Sequence, residues 1–389
     1  MSGTHERQVI NVGLIGCGCI AENHAFSISL VENNARKIWK DASKKVRVKL
    51  YAMADTDPAA LDRLASAFAV PKRYGGPRAG YDLIDDPDVH AIYVLVPTAD
   101  HLDYVLKAAA KKKHVFCEKP LAFSPGDVRK MIAARDDNHI VVQAGLVFRS
   151  APQIIYLKKL LAENKAKWGR ISNVVFRDSQ EKPYKGKEEV HGSTWRGDVS
   201  KAHAGILFEH TIHDIDGLIF AFGEVDEVYG KVTYMDRPGI ETGVSAIITF
   251  KNGLNLSVNS MWNDIDFSER RMEFYFENAW VHVTVDERAG ADKKRKLVTI
   301  KTRCLKEPEQ ELDDAVMDAY FRYSIGMSHV SAELAGPYYY EDLRFFDAIV
   351  KGQPSPVKLE YGLYAQRVIE AVYESSRTGR AVKIDEFDP

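Results

Sequence analysis

The chain has 389 residues, 45% hydrophobic and 28% charged, a length and balance that suit two soluble cores rather than one. Its 53 Lys and Arg against 55 Asp and Glu leave a formal net charge of −2, so no overall field draws it to nucleic acid or an anionic bilayer. No apolar run approaches the roughly 18 residues of a membrane span, and the polar start MSGTHERQ does not read as a signal peptide.

Residues 9–15, VINVGLI, form a continuous apolar run of strand length that leads into Gly16-Cys17-Gly18-Cys19-Ile20-Ala21. This G-x-G-x-x-A pattern has a mechanical logic. Gly16 permits a tight turn, Gly18 lets the backbone approach a pyrophosphate, and Ala21 lets the next helix lie close to the strand. The helix N-terminus then offers N–H groups and a positive dipole end to phosphate. Cys17 and Cys19 read as small residues of that turn, since no second cysteine pair or histidine completes a zinc set. With only Cys117 and Cys304 besides, a disulfide framework is not expected, and a reducing, cytoplasmic setting is.

A helix is predicted near 21–40 and a second strand, VRVKLYAMAD, at 46–55. That strand ends on Asp55, where a dinucleotide fold places the carboxylate that accepts the ribose hydroxyls. A charge there would repel a 2′-phosphate, which favours NAD over NADP. The spacing from Gly18 is longer than usual, and an extended helix and loop absorb the excess. Strands at 91–97, 114–120 and 139–148 alternate with helices at 99–113 and 125–138. The alternation implies a parallel sheet with ligands at the carboxyl ends of its strands, where Gly16, Asp55, Pro97, Thr98 and Lys119 fall.

From about residue 150 the pattern becomes β-rich. Alternating segments at 169–180, 224–236, 243–250, 253–262, 270–277 and 279–287 predict an antiparallel sheet, with Lys251-Asn252-Gly253 as a hairpin turn. Between the first two lies GILFEHTIHDIDGLIF. Read as a regular helix, Glu209, His213 and Asp216 share one face, Ile212, Ile215 and Ile219 form an apolar stripe, and His210 and Asp214 point elsewhere. Ligands for a metal are too few on any one face, so no metal is expected.

GLIGCGCIA, VPTADH and VFCEKPLA, followed by STWRGD and AGILFEHTIHDID, resemble the glucose–fructose oxidoreductase and inositol dehydrogenase family over essentially the whole chain. The resemblance implies an α/β N-terminal Rossmann dinucleotide-binding domain (1–148). An α+β domain with an open, mostly antiparallel sheet (149–389) would follow, its helix at 361–378 a candidate to pack back on the first. It implies cofactor contacts from Gly16, Gly18, Cys19, Ile20, Asp55, Pro97, Thr98, His101, Glu118 and Lys119, with NAD preferred to NADP. Lys119 would touch substrate oxygen and nicotinamide ribose, and His213 would be the catalytic histidine. Glu209 stands where relatives favour Asp, and His203-Ala204-Gly205 replaces a glycine triplet. Arg149, Trp195, Arg196 and Tyr338 are implied substrate contacts, with specificity expected from 178–196 and 305–340.

The function so implied is NAD-dependent oxidation of a secondary hydroxyl of a sugar, anhydrosugar or cyclic polyol, with hydride to nicotinamide C4 and the proton to His213. Imidazole suits that task because it titrates near neutrality. A homodimer or homotetramer through the open sheet face is implied, with no nucleic-acid or membrane partner. One alternative keeps the cofactor but uses transient oxidation and elimination to cleave a glycosidic bond. Another, an NAD-responsive regulator, would have no need of Lys119 and His213.

Overall fold

The structure is a computed structural model that describes residues 9–39, 46–184, 194–265, 268–285, 298–324 and 336–389. It divides into two compact units, Met1–Ser150 with Ser328–Leu363, and Ala151–Met327 with Tyr364–Pro389. Of the described residues, 336–363 therefore belong with the first unit, a return that a single boundary at 148/149 does not anticipate.

The first unit runs β1 (Val9–Ile15), α1 (Cys19–Ile38), β2 (Arg47–Asp55), α2 (Pro58–Ala67), β3 (Lys72–Gly75), α3 (Ala79–Asp85), β4 (Ala91–Val94), α4 (His101–Ala110), β5 (His114–Glu118), α5 (Pro125–Asn138) and β6 (Val142–Gly145). Among the described residues its strands form one parallel sheet in the order β3-β2-β1-β4-β5-β6. The order reverses between β1 and β4, the switch point where a doubly wound sheet opens a crevice at its carboxyl edge. Local chemistry sets the breaks. Asp57 caps α2 through the Ala59 N–H, and Ser124 caps α5 through the Asp127 N–H, each with proline at the next position. His139, at φ 54°, ends α5 in the left-handed region and delays β6 to Val142, later than its apolar run begins. Residues 56–90, which apolar runs leave unassigned, hold α2, α3 and the short, half-exposed β3.

In the second unit α6 (Pro152–Trp168) precedes β7 (Ile171–Glu181), the single turn α7 (Val199–Ala202) and α8 (Ile212–Phe222). Then come β8 (Val225–Thr233), β9 (Gly243–Phe250), β10 (Asn255–Asn263), β11 (Glu269–Phe276), β12 (Ala279–Val285), β13 (Val298–Cys304), β14 (Gln310–Asp313) and α9 (Asp314–Ser324). Helix α10 (Pro337–Lys351) returns to the first unit and packs on α1. Helix α11 (Leu359–Thr378) gives Leu359 to the first core, and Tyr364, Tyr373 and Ser375 to the second unit, before β15 (Val382–Lys383).

The second sheet has nine described strands in the order β14-β13-β12-β11-β7-β10-β9-β8-β15. All neighbours are antiparallel except β7 and β10, so the sheet is mixed but mostly antiparallel, as the alternating segments predict. Gly253, at φ +84°, turns β9 into β10, with Asn252 Oδ1 accepting the Leu254 N–H at 3.0 Å. Alternation separates the faces. Val174, Phe176, Ile248, Val258, Phe274 and Val283 are buried, while Ile247, Met261 and Tyr275 stay exposed on the other side. No helix among the described residues is long and apolar enough to cross a membrane.

Candidate functional site

The carboxyl edge of the first sheet is built around a loop that admits only glycine at its tightest point. Gly16 has φ +97°, and a Cβ there would lie 2.5 Å from the Leu95 carbonyl oxygen. At Gly18 a Cβ would meet nothing within 4 Å, and no side chain caps the start of α1. The backbone thus leaves open space and N–H donors where a pyrophosphate would sit. Cys19 is exposed and Ile20 half-buried, whereas Ala21 is fully buried with its N–H on the Gly18 carbonyl at 3.1 Å. Asp55, at the end of β2, accepts the Cys17 N–H at 2.6 Å and the Asp57 N–H at 2.8 Å. Burial and the Asp55 charge push the Cys17 thiol up to about 12, so it is an inert filler of the turn. Open backbone, an uncapped helix start and a carboxylate at the next strand end fit a dinucleotide.

Two strands away, β5 delivers Glu118 into a cis Lys119–Pro120 peptide. His101 is buried, with Nδ1 2.8 Å from the Pro120 carbonyl and Nε2 2.9 Å from the Val96 carbonyl. Both ring nitrogens are therefore spent on backbone, and His101 ties the turn carrying Pro97 and Thr98 to the turn carrying Lys119. Glu118 is also turned inward, where it accepts the Lys119 N–H at 3.0 Å and faces His24 Nε2 at 3.3 Å. Arg149 is buried, its guanidinium 3.8 Å from the Tyr361 ring centroid. Tyr338, half-buried, lies in this same unit with its ring 5.5 Å from that of His24.

In the second unit the segment that carries Glu209 and His213 is not one regular helix. Residues Leu207–Thr211 form a π-helical turn, and α8 begins only at Ile212. A wider turn shifts every residue before it relative to those after, so the 3.6-residue faces expected for Glu209, His213 and Asp216 do not apply. Glu209, Asp214 and Asp216 are all about 1% exposed, and of these polar groups only His210 and His213 remain half-buried. Ile212 and Ile215 are buried as the stripe predicts, and Ile219 is half-buried. Glu209 pairs with Arg196 at 3.3 Å, and the Arg196 guanidinium lies 4.7 Å from the Trp195 ring centroid. Three residues singled out in the sequence are thereby brought together. Ser193 of STWRGD and residues 185–192 of the charged loop lie outside the described residues, as do residues 325–335 of the later specificity segment.

His210 and Asp214 do point elsewhere, and what they meet was not foreseen. Asp178 on β7 and Arg270 on β11 are register partners. Arg270 Nε lies 2.7 Å from Asp214 Oδ1, Arg270 Nη2 lies 2.9 Å from His210 Nε2, and that nitrogen is 3.2 Å from Asp178 Oδ2. Against the upward push of burial, the charges of His210 and Arg270 hold the Asp178 carboxyl below its ordinary range. Asp178, His210 and Asp214 bring ligand atoms within 4.8 Å of one another, but the guanidinium already supplies the positive charge that they gather around. The signal was present in the sequence. Asp178 and Arg270 fall on the inward rows Val174-Phe176-Asp178 and Arg270-Met272-Phe274, where alternation calls for apolar residues.

The turn before Leu207 is anchored by Glu241, which accepts the Gly205 N–H at 2.6 Å, the Leu207 N–H at 2.9 Å and the Tyr373 hydroxyl at 2.9 Å. A Cβ on Gly205 would fall 1.9 Å from the Glu241 carbonyl oxygen, so this is the glycine of the segment that cannot be replaced. His203 adopts φ 72° and ψ −51°, a conformation costly for an L side chain.

Family models for an oxidoreductase NAD-binding Rossmann fold and an oxidoreductase C-terminal alpha/beta domain match residues 10–146 and 167–384. A myo-inositol 2-dehydrogenase of Thermotoga maritima is 26% identical over 97% of this chain and 99% of its own length. A D-xylose 1-dehydrogenase (NADP(+)) of Haloferax volcanii is 24% identical over 86% of this chain and 91% of its own. Among solved structures, a levoglucosan dehydrogenase in complex with NADH and levoglucosan superposes with a TM-score of 0.77 at 20% identity, covering 97% of this chain and all of that one.

Burial pushes the Glu241 carboxyl up to about 7, against the pull of its three donors. The folded state then holds this proton more tightly than an exposed glutamate does. Its contribution to stability is complete below an unfolded value of 4.5 and is lost as pH rises through about 7. The shift corresponds to about 3 kcal/mol. Unfolding free energies measured by denaturant at about pH 5 and about pH 8 should fall with pH in the native chain and fall less in Glu241→Gln. Equal losses in both would remove Glu241 from the account.

Proposed function

The chain belongs to the GFO/IDH/MocA oxidoreductase family, and from that premise we propose that it is an NAD-dependent dehydrogenase of a secondary hydroxyl on a sugar, anhydrosugar or cyclic polyol. The observation that carries the reading is the carboxyl edge of the first sheet. There the Gly16 turn, the uncapped start of α1, Asp55 and the Lys119–cis-Pro120 turn follow β1, β2 and β5. The relatives' substrates, a cyclic polyol, a pentose and an anhydrosugar, support the substrate class.

When bound, the nicotinamide supplies the hydride acceptor. Gly16, Gly18, Cys19 and Ile20 would hold the pyrophosphate, and Asp55 the ribose, where its charge disfavours a 2′-phosphate. Pro97, Thr98, His101 and Glu118 shape the neighbouring turns. Lys119 steadies the developing negative charge on the substrate oxygen. His213 accepts the hydroxyl proton, and Glu209, paired with Arg196, orients the substrate or the imidazole. Arg149, Trp195 and Tyr338 are further substrate contacts of the proposal. The open sheet face, where Tyr229 and Ile247 are opposite each other and exposed, is proposed as the surface joining copies of this chain.

A screen of levoglucosan, myo-inositol and D-xylose should give stoichiometric NADH at 340 nm for at least one of them. Turnover without net NADH would overturn the reading. Lys119→Ala and His213→Ala should each lose roughly a hundredfold or more in kcat while NAD binding persists; near-native rates would show the site to be misassigned. Asp55→Ala should erode the preference for NAD over NADP by roughly tenfold or more, and an unchanged preference would free Asp55 of that role. Light scattering should report an oligomer that Tyr229→Lys with Ile247→Lys dissociates; unaltered mass would place the interface elsewhere.

A further inference from the structure

We infer that His24 is the positioning residue for Lys119, an imidazolium clamped between Glu118 and Asp342 that fixes where the Lys119 turn lies. The inference rests on the reading that Lys119 serves the reacting oxygen.

His24 is wholly buried in α1, on the stripe Ala21, Ala25, Ile28 and Val31 that packs the helix to its unit. Its Nε2 lies 3.3 Å from Glu118 Oε1, and its Nδ1 lies 2.9 and 3.1 Å from the two oxygens of Asp342. Burial pushes the Asp342 carboxyl up against the pull of His24 and Tyr93; with both carboxyls ionised each ring nitrogen must donate, and the ring that satisfies both is the cation. Burial opposes that charge, and the two carboxylates outweigh burial, lifting the imidazole to about 10. Rings surround it, with centroids at 4.8 Å for Phe116, 5.2 Å for Tyr93 and 5.5 Å for Tyr338.

Glu341 is buried, and burial together with the Glu118 charge pushes its carboxyl well up. Arg344 acts on Glu341, and Tyr93 lies beside Asp342. Against the upward push of burial, the charges of His24 and of the Lys119 ammonium both act on Glu118 and hold its carboxyl below the ordinary range.

The mechanical consequence runs through Glu118. One of its oxygens is taken by His24 and the other by the Lys119 N–H at 3.0 Å. The carboxylate thus transmits the position of α1, the helix whose start would hold the pyrophosphate, to the lysine turn. Asp342 on α10 fixes the far side of the imidazole. An error of about 1 Å at a group that must meet a reacting atom costs about a hundredfold in rate.

Three measurements on the full chain decide the matter. NMR of protein labelled with ¹⁵N-histidine should show both ring nitrogens of His24 protonated at about pH 8, where free imidazole is neutral. In His24→Gln, and in the gentler Asp342→Asn should the first variant not fold, amide exchange across 117–121 should accelerate by roughly tenfold or more while β1 and β2 keep their protection. Where a sugar is turned over, kcat should fall at least about tenfold, with KM for NAD within about threefold and no further loss in a Lys119→Ala background. A neutral His24, unaltered exchange in the folded variant, or a loss that multiplies with that of Lys119→Ala would overturn the inference. The NMR and exchange results stand even if no sugar is oxidised, so failure of the proposed activity and failure of this inference are told apart.

Discussion

A carboxylate taken out of water must be met by donors or a cation, and that constraint organises the parts of this chain that carry its candidate chemistry. Three buried carboxylate sites do the organising. Glu118 and Asp342 are met by His24, Asp178 and Asp214 by Arg270 with His210, and Glu241 by two N–H groups and a hydroxyl. Removing one partner from either of the two ion-paired sites leaves an uncompensated charge, at a cost of about 3–5 kcal/mol. Each cluster therefore tolerates little displacement, and each one holds a loop or helix start on which a candidate functional side chain is mounted.

The clusters also explain how a long chain keeps its functional residues in register. His24, Glu118 and Asp342 come from α1, β5 and α10, with more than two hundred residues between the last two. Asp178, Asp214 and Arg270 come from β7, α8 and β11, and Glu241 joins Gly205 to Tyr373. Apolar packing alone would permit small slides between such elements, because it has no preferred direction. A hydrogen-bonded ion pair has one. The glycines add a second kind of constraint: at Gly16 and Gly205 another backbone segment passes too close for any side chain.

Much of the fold is legible in the order of residues. Apolar runs located β1, β2, β4, β5 and β6, Ser124 and Pro125 started α5, and Asn252-Gly253 turned β9 into β10. The glycine loop and Asp55 could be placed on strand ends for the same reason. The faces of the helix around Glu209 could not, because periodicity assumes 3.6 residues per turn and the π-helical turn at Leu207–Thr211 breaks it. Asp178, Arg270 and His24 were visible only as polar residues in apolar rows, a pattern that marks a site without naming its partner.

What the sequence by itself determined is therefore most of the elements, their order, the dinucleotide loop and a set of candidate residues for proton and hydride chemistry. These depend on local sterics, capping and burial periodicity, all of which act within about a dozen residues. Tertiary structure alone decided which charges meet: that His24 stands between Glu118 and Asp342, that Arg270 lies among Asp178, Asp214 and His210, and that α10 belongs with the first unit. The energy of a buried charge depends on every dipole and ion around it, and in this chain those partners are brought together only by folding.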